Sequence, residues 1–167
     1  FHTHFFIISL RNTFRLENTE IMKNLVIGQS GGPTAVINAS LYGAVKAFRE
    51  SGADGHVLGM INGIEGFLAD HVMDLSTDLS DKELELLKLT PAAYLGSCRY
   101  KLPEDLSDPV YPELFQKFTE KEISYFFYIG GNDSMDTADK LSRWAAHNNK
   151  EISFIGVPKT IDNDIYG

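Results

Sequence analysis

One stretch of the sequence, residues 125–164, constrains the fold of this chain more than any other. It begins with an apolar run at residues 125–129, continues through a glycine pair and an amphipathic segment, and reaches a second apolar run at residues 152–157. This succession is typical of a strand, a helix and a second, parallel strand, because strands covered on both faces are apolar throughout. With four strand–helix steps along the chain, the sequence predicts a three-layer α/β sandwich with a mainly parallel sheet.

Polar motifs follow both apolar runs. Gly-Gly-Asn-Asp-Ser occupies residues 130–134, and Pro-Lys-Thr-Ile-Asp-Asn-Asp occupies residues 158–164. In open parallel sheets ligands bind at the carboxyl ends of the strands, so we expect Asp133, Asp162 and Asp164 to lie together at that edge. Lys159 and Arg99 are expected beside them. Carboxylates there can bind Mg²⁺ or accept a proton, and cations can hold phosphate oxygens, as metal-assisted phosphoryl transfer requires. Acidic caps on the following helices are the structural alternative.

Two earlier loops are also candidates for anion binding. The glycine-rich segment 28–34 lies between a strand at residues 25–27 and a helix that runs to about Glu50, where its unpaired backbone N–H groups can face a phosphate. A plain turn is the alternative. The Gly-Ser turn at residues 96–97 precedes Arg99 and Lys101, which suit a phosphate or, equally, a solvated basic loop.

The remaining segments are assigned from local signals. Residues 56–61 are predicted as a strand, residues 62–66 as a loop, and Ser80 with Glu83 as a capping box that opens a short helix. Asp108-Pro109 begins a further helix. We expect Trp144 to pack in the core and Cys98 to be a small buried residue rather than a nucleophile.

Net charge and cysteine content limit the classes of binding partner and the cellular compartment that are expected. The net charge is −8, from 23 acidic and 15 basic residues, which disfavours binding to nucleic acid or a membrane surface. The single cysteine rules out an internal disulfide and predicts a cytoplasmic protein. No segment is long and apolar enough to span a bilayer.

The first and last residues of the sequence predict that the boundaries of the domain differ from the ends of the chain. The sequence starts without methionine, and Met22 stands just before the first strand, so residues 1–21 are predicted to be a non-native leader; a genuine N-terminal extension is the alternative. The sequence stops at Gly167, directly after its most specific motif, which predicts a fragment comprising residues 22–167 of a larger domain.

Four motifs together resemble the phosphofructokinase family: Ser-Gly-Gly at 30–32, Leu-Gly-Ser-Cys-Arg at 95–99, and the two motifs after the apolar runs. The resemblance covers about residues 22–167, the first half of the family's catalytic chain. It implies that Gly31, Gly32 and Ser134 contact the phosphates of the donor and that Arg99 bridges the moving phosphoryl group. It further implies that Thr160, Ile161 and Asp162 meet the sugar, with Asp162 as the base, and that Asp164 supports the base and the metal.

The residues at two positions indicate which donor is used. Asp133 and Lys159 replace the glycines of the ATP-using members, as in the pyrophosphate-dependent branch. The resemblance therefore implies pyrophosphate, fructose 6-phosphate and Mg²⁺, in a homo-oligomer when full length. Asn132 stands where the family has its metal-binding aspartate, so Asn132, Asp133 and Asp164 are the candidate ligands. An ATP-dependent enzyme and a non-catalytic regulatory subunit remain as alternatives.

Overall fold

The computed structural model describes residues 24–34 and 36–159. The strands are β1 (Asn24–Gln29), β2 (Val57–Met60), β3 (Val72–Asp74), β4 (Ile123–Gly130) and β5 (Ser153–Pro158). The helices are α1 (Ile37–Ser51), α2 (Gly63–Leu68), α3 (Asp81–Leu86), α4 (Val110–Glu120) and α5 (Asn132–His147), and a 3₁₀ turn at Leu87–Leu89 continues α3. Across these described residues, none of the helices has the length and apolar character that crossing a membrane requires.

The strands form one sheet in the order β3-β2-β1-β4-β5, and only β3 is antiparallel to its neighbour. From β1 the chain adds β2 and then β3 on one side of β1. It then crosses to the other side of β1, where it adds β4 and β5. This reversal leaves a crevice beyond the carboxyl ends of β1 and β4, where ligands bind in open α/β sheets. The mainly parallel sheet is confirmed.

Helices cover both faces of the sheet. Leu25 and Ile27 of β1 pack with α1 and α3 in one apolar cluster, whereas Val26 packs with α2, α4 and α5 in the other. Neighbouring side chains of a strand point to opposite faces, so each parallel strand needs apolar residues at consecutive positions. The predicted three-layer sandwich is therefore confirmed.

Aromatic rings fill much of the second cluster. Phe118 contacts Phe126 of β4 at a centroid distance of 5.7 Å, and Phe115 lies 4.3 Å from Trp144. Such pairs add about 0.5–1.5 kcal/mol each beyond the burial of their area. Trp144 is half-buried in this cluster and Cys98 is 6% exposed, as expected for both.

Several local signals are confirmed in the structure. Gly52 ends α1 in the left-handed conformation with φ 72°, and Ser80 and Glu83 form a reciprocal capping box at the start of α3. The helix α4 begins directly after Pro109 and buries Leu114, Phe115 and Phe118.

The predicted loop at residues 62–66 is wrong. Residues 63–68 form α2, entered through Asn62 and Gly63 with φ of 59° and 61°. A Cβ on Gly66 would lie 1.5 Å from the carbonyl oxygen of Ile61, so the helix depends on glycine at that position. The helix is six residues long, too short to establish a periodicity, and the three-residue strand β3 was missed for the same reason.

Candidate functional site

A cleft of about 480 Å³ opens at the carboxyl ends of the central strands. Its walls come from three places that are distant in sequence: the glycine-rich loop after β1, the loop that carries Arg99, and the first turn of α5. Lys159, which follows β5, completes the lining. The structure thus brings Arg99, Asp133 and Lys159 to one edge of the sheet, as predicted from the sequence.

The glycine-rich loop is held by backbone hydrogen bonds. The N–H of Ser30 donates to Ile129 O at 2.9 Å, and the N–H of Gly31 donates to Cys98 O at 3.2 Å. Gly31 has φ 75°, a conformation that favours glycine. A Cβ on Gly32 would meet nothing within 4 Å, so this glycine borders open space.

The loop containing Arg99 is attached to the glycine-rich loop. The hydroxyl of Ser97 donates to Gly31 O, and that of Ser30 donates to Cys98 O at 3.3 Å. These contacts place the exposed Arg99 at the wall of the cleft. The basic loop therefore forms part of the cleft wall, and phosphate binding by Arg99 stays a prediction.

The first turn of α5 presents polar residues to the cleft. Gly131 is the N-cap, and Asn132 and Asp133 are exposed in the first turn. Unpaired N–H groups and the helix dipole attract anions to such a terminus. Ser134 also lines the cleft but is only 2% exposed, because its side chain packs on Gly130, where a Cβ would lie 1.9 Å from its hydroxyl oxygen.

Lys159 is a buried cation at the base of the cleft. Lys159 is only 8% exposed, and its Nζ donates a hydrogen bond to the carbonyl oxygen of Gly32. Its backbone N–H donates to Gly130 O at 2.7 Å, which fixes it beside the start of α5. Burial lowers the pKa of Lys159, because the ammonium group loses hydration. An anion in the cleft would restore part of that lost solvation.

Asp133 lies at the outer rim and has a partner of its own. Its carboxylate is 3.1 Å from Lys101 Nζ, and the two side chains are 68% and 71% exposed. Its negative charge is therefore partly balanced by a lysine that stands two residues after Arg99.

Four predicted site residues, Thr160, Ile161, Asp162 and Asp164, lie outside the described residues, so their roles stay predictions. Asn132 and Asp133, two of the three candidate metal ligands, both line the cleft, and their role in metal binding stays a prediction. Residues 24–34 and 36–159 contain no group of three or more His, Cys, Asp or Glu side chains placed to hold a metal.

A buried amide pair beneath the cleft was not predicted from the sequence. Gln29 Nε2 donates to Asn38 Oδ1 at 2.9 Å and to Ile37 O, while Gln29 Oε1 accepts from the N–H of Leu95. Asn38 in turn donates to the carbonyls of Thr90 and Ala92. The pair anchors the chain that leads into the Arg99 loop. The sequence contains one signal of this pair: a polar residue, Gln29, stands directly between an apolar strand and a glycine-rich turn.

A second missed group lies under Ser30. The Tyr128 hydroxyl is buried 3.7 Å from Cys98 Sγ, and burial raises its pKa, an effect that a hydrogen bond with Ser30 opposes. Tyr128 is therefore a neutral hydroxyl at neutral pH, and it supports the floor of the cleft.

Comparison with known proteins shows the family to which this fold belongs. The family profile described as Phosphofructokinase matches residues 24–167. The chain belongs to the phosphofructokinase family. The match takes in all four motifs and every residue that lines the cleft.

Several phosphofructokinases are similar to this chain. A pyrophosphate–fructose 6-phosphate 1-phosphotransferase from Rhodospirillum rubrum is 43% identical over 141 residues, which are 84% of this chain and 34% of the relative. The crystal structure of a pyrophosphate-dependent phosphofructokinase from Nitrosospira multiformis is 42% identical, with a TM-score of 0.78 over 85% of this chain and 35% of that one. An ATP-dependent 6-phosphofructokinase from Photobacterium profundum is 31% identical over 150 residues, 88% of this chain and 42% of the relative. The chain thus spans about a third of the length of its pyrophosphate-named relatives.

Proposed function

We propose that this chain is the donor-binding part of a pyrophosphate-dependent 6-phosphofructokinase. The enzyme transfers a phosphoryl group from pyrophosphate to the 1-hydroxyl of fructose 6-phosphate, giving fructose 1,6-bisphosphate and phosphate. The reaction is reversible. The names of relatives at 38–43% identity support this assignment.

The observation that carries the proposal is the charge arrangement in the cleft. A buried cation, Lys159, reaches the glycine-rich loop, and a carboxylate, Asp133, occupies the rim. Pyrophosphate is small and highly charged, so a desolvated cation near its transferring group stabilises it strongly. A nucleotide extends further, and Asp133 would face its α-phosphate, which like-charge repulsion disfavours.

The chemistry of transfer rests on residues of the last motif. Asp162 takes the proton of the attacking 1-hydroxyl as its oxygen bonds to phosphorus and the bond to the leaving phosphate breaks. Thr160 and Ile161 hold the sugar beside it, and Asp164 supports Asp162. Arg99 contacts the phosphoryl group during transfer, and Gly31, Gly32 and Ser134 border the donor's phosphates.

The exposed oxygens at the start of α5 fit a magnesium ion held mainly by its substrate. Mg²⁺ commonly takes one or two protein carboxylates together with substrate phosphates and waters. Asp133 supplies one carboxylate and Asn132 an amide oxygen at the cleft, with Asp164 proposed as the second carboxylate. When bound, the ion neutralises charge on the phosphates.

The alternatives differ in what they require of these residues. An ATP-dependent enzyme would have to place a nucleotide past Asp133. A non-catalytic regulatory subunit, suggested by Asn132, would have no use for the base Asp162. We further propose a cytoplasmic homo-oligomer for the full-length enzyme.

Donor choice tests the proposal in the full-length enzyme. We expect Asp133→Gly to raise kcat/KM for ATP by about 10- to 1000-fold, since a close like-charge contact costs several kcal/mol. Lys159→Gly should lower pyrophosphate use, mainly through kcat, without admitting ATP. The double variant should favour ATP more than either single variant. The measurement is kcat/KM for both donors at one Mg²⁺ concentration.

Asp162→Asn is the matched reference, because it keeps the side-chain size and loses the proton acceptor. Its kcat should fall by roughly 10²–10⁴ with either donor, with a much smaller change in KM. Preference of the unmodified enzyme for ATP, or unchanged ATP use in Asp133→Gly, would overturn the pyrophosphate assignment.

A further inference from the structure

The ion pair between Lys101 and Asp133 spans the rim of the cleft. It joins the loop that carries Arg99 to the first turn of α5, with Lys101 Nζ 3.1 Å from Asp133 Oδ1. Asp133 lines the cleft and Lys101 does not, so the ammonium group of Lys101 is one ion-pair distance from a lining residue. From the sequence, Lys101 and Arg99 suit a phosphate or a solvated loop equally, and the ion pair with Asp133 is not predictable at that level.

The ion pair between Lys101 and Asp133 is held more weakly than the ion pairs of the buried Lys140. Lys140, which also joins α5 to this loop, is 2% exposed and bonds Leu102 O, Glu104 and Asp136. Lys101 is 71% exposed, and Asp133 is its one recorded ion-pair partner within residues 24–34 and 36–159. An exposed pair of this kind contributes only about 0–1 kcal/mol, so a better anion can replace the carboxylate.

The cleft is the place where such an anion arrives. Arg99 and Lys159 line it, and the start of α5 and the glycine-rich loop add backbone N–H groups. A phosphate carries more charge than a carboxylate and offers more acceptor oxygens to an ammonium group. Lys101 Nζ lies 3.1 Å from a carboxylate that lines the cleft, and the lysine side chain is a flexible four-carbon stem that can change its partner.

We propose that Lys101 is a donor-binding residue that exchanges its partner, releasing Asp133 and contacting a donor phosphate when the donor binds. Lys101 thereby couples occupancy of the cleft to the charge of Asp133. This inference rests on the proposed phosphotransferase function but not on which donor is used.

A double-mutant cycle separates this role from simple neutralisation of Asp133. If Lys101 only screens the carboxylate, Lys101→Met should weaken donor binding in the unmodified enzyme and have no effect in the Asp133→Asn background. If Lys101 contacts the donor, we expect the loss to persist in that background and to increase, from about 5-fold to about 10-fold or more, because the lysine no longer has to leave Asp133.

The cycle is measured in the full-length enzyme as the Kd for pyrophosphate by calorimetry, at fixed Mg²⁺, with the KM as a second readout. Lys101→Arg should restore most of the affinity. The matched control is Lys88→Met. Lys88 is also an exposed lysine paired with a carboxylate, that of Glu85, and neither residue lines the cleft. This variant should leave the Kd unchanged. Both residues of the Lys101 pair are exposed, so melting temperatures should stay within about a degree, as surface substitutions do.

An equal Kd for Lys101→Met and the unmodified enzyme, or a loss that disappears in the Asp133→Asn background, would overturn the role of Lys101. If the unmodified enzyme uses ATP instead, the pyrophosphate assignment fails and the same cycle is measured with ATP. Binding of neither donor would contradict both proposals.

Discussion

At the scale of single residues, two glycines of the cleft differ in what an added methyl group would meet. A Cβ on Gly130 would lie 1.9 Å from Ser134 Oγ and 3.0 Å from Ser30 O, within the packed floor. A Cβ on Gly32 would project into open space. One glycine therefore serves the packing of the protein, and the other leaves room at the position proposed for the donor.

We predict opposite results for the two alanine variants of the full-length enzyme. Gly130→Ala should destabilise the fold by about 1–3 kcal/mol, as overpacking does, and lower the melting temperature. Gly32→Ala should keep the melting temperature and raise the KM for pyrophosphate several-fold, because the methyl group occupies the approach to the loop. Thermal unfolding and steady-state kinetics on both variants check this. An unchanged KM in Gly32→Ala would argue against donor contact at this loop.

The residues of the site could be predicted from the sequence only where a motif carries them. Asp133 and Lys159 follow apolar strands, so their meeting at one edge follows from the parallel topology. The pairing of Asp133 with Lys101 could not be predicted, because it depends on how a loop 32 positions earlier folds over α5. The burial of Lys159 likewise depends on its reach to Gly32.

At the scale of elements, the amide pair of Gln29 and Asn38 ties the end of β1 to α1 and to the segment before the Arg99 loop. Gln29 is fully buried and Asn38 is 1% exposed. Together they satisfy the backbone N–H groups of Leu95 and Tyr94 and the carbonyls of Ile37, Thr90 and Ala92. The position of Arg99 at the wall thus depends on two side chains that do not reach the cleft.

We predict that Gln29→Leu lowers both stability and donor affinity. The substitution leaves the buried N–H of Leu95 without its acceptor, and an unsatisfied buried group costs about 1–3 kcal/mol. The urea midpoint should fall and the KM for pyrophosphate should rise. Gln116→Leu is the control, since Gln116 is exposed and bonds only Glu120 among the described residues. Equal midpoints for the two variants would contradict the anchoring role.

Elements were predictable from the sequence when they were long or well capped. The four parallel strands β1, β2, β4 and β5 and the helices α1, α4 and α5 follow from apolar runs and helical spacing. The six-residue helix α2 and the strand β3 did not, because a left-handed entry at Asn62 and a close approach at Gly66 are tertiary features. Without a structure, the start of α2 looks like a loop, because Asn62, Gly63 and Gly66 are residue types typical of turns.

At the scale of the whole molecule, the sheet has an edge that the described residues leave unpaired. The strand β5 pairs with β4 alone, and its residues Phe154, Ile155 and Gly156 are only half-buried. An unpaired strand with apolar side chains is a template for association. The chain spans about a third of the length of its relatives, and we propose that a part of the longer protein covers this edge.

We predict that residues 22–167 expressed alone are inactive and associate. Size-exclusion chromatography with light scattering should report oligomers or aggregates, and phosphoryl transfer should be undetectable. That residues 1–21 are a non-native leader stays a prediction, and it implies that fragments with and without them behave alike. A monomeric fragment that turns over substrate would contradict the prediction, and a higher melting temperature with the leader would mean that it packs on the domain.

The place of β1 in the sheet also affects the order in which the site can form. Gly28 of β1 pairs with Tyr128 of β4, so a contact 100 positions apart must close before the floor of the cleft exists. Closing such a loop costs about 4 kcal/mol of chain entropy and slows folding, because the cost comes before the contacts that repay it. A ribosome adding about 5–20 residues per second takes some 5–20 s to make that span. The glycine-rich loop therefore leaves the ribosome long before the strand that supports it, and the proposed donor site cannot form in the nascent chain until β4 docks.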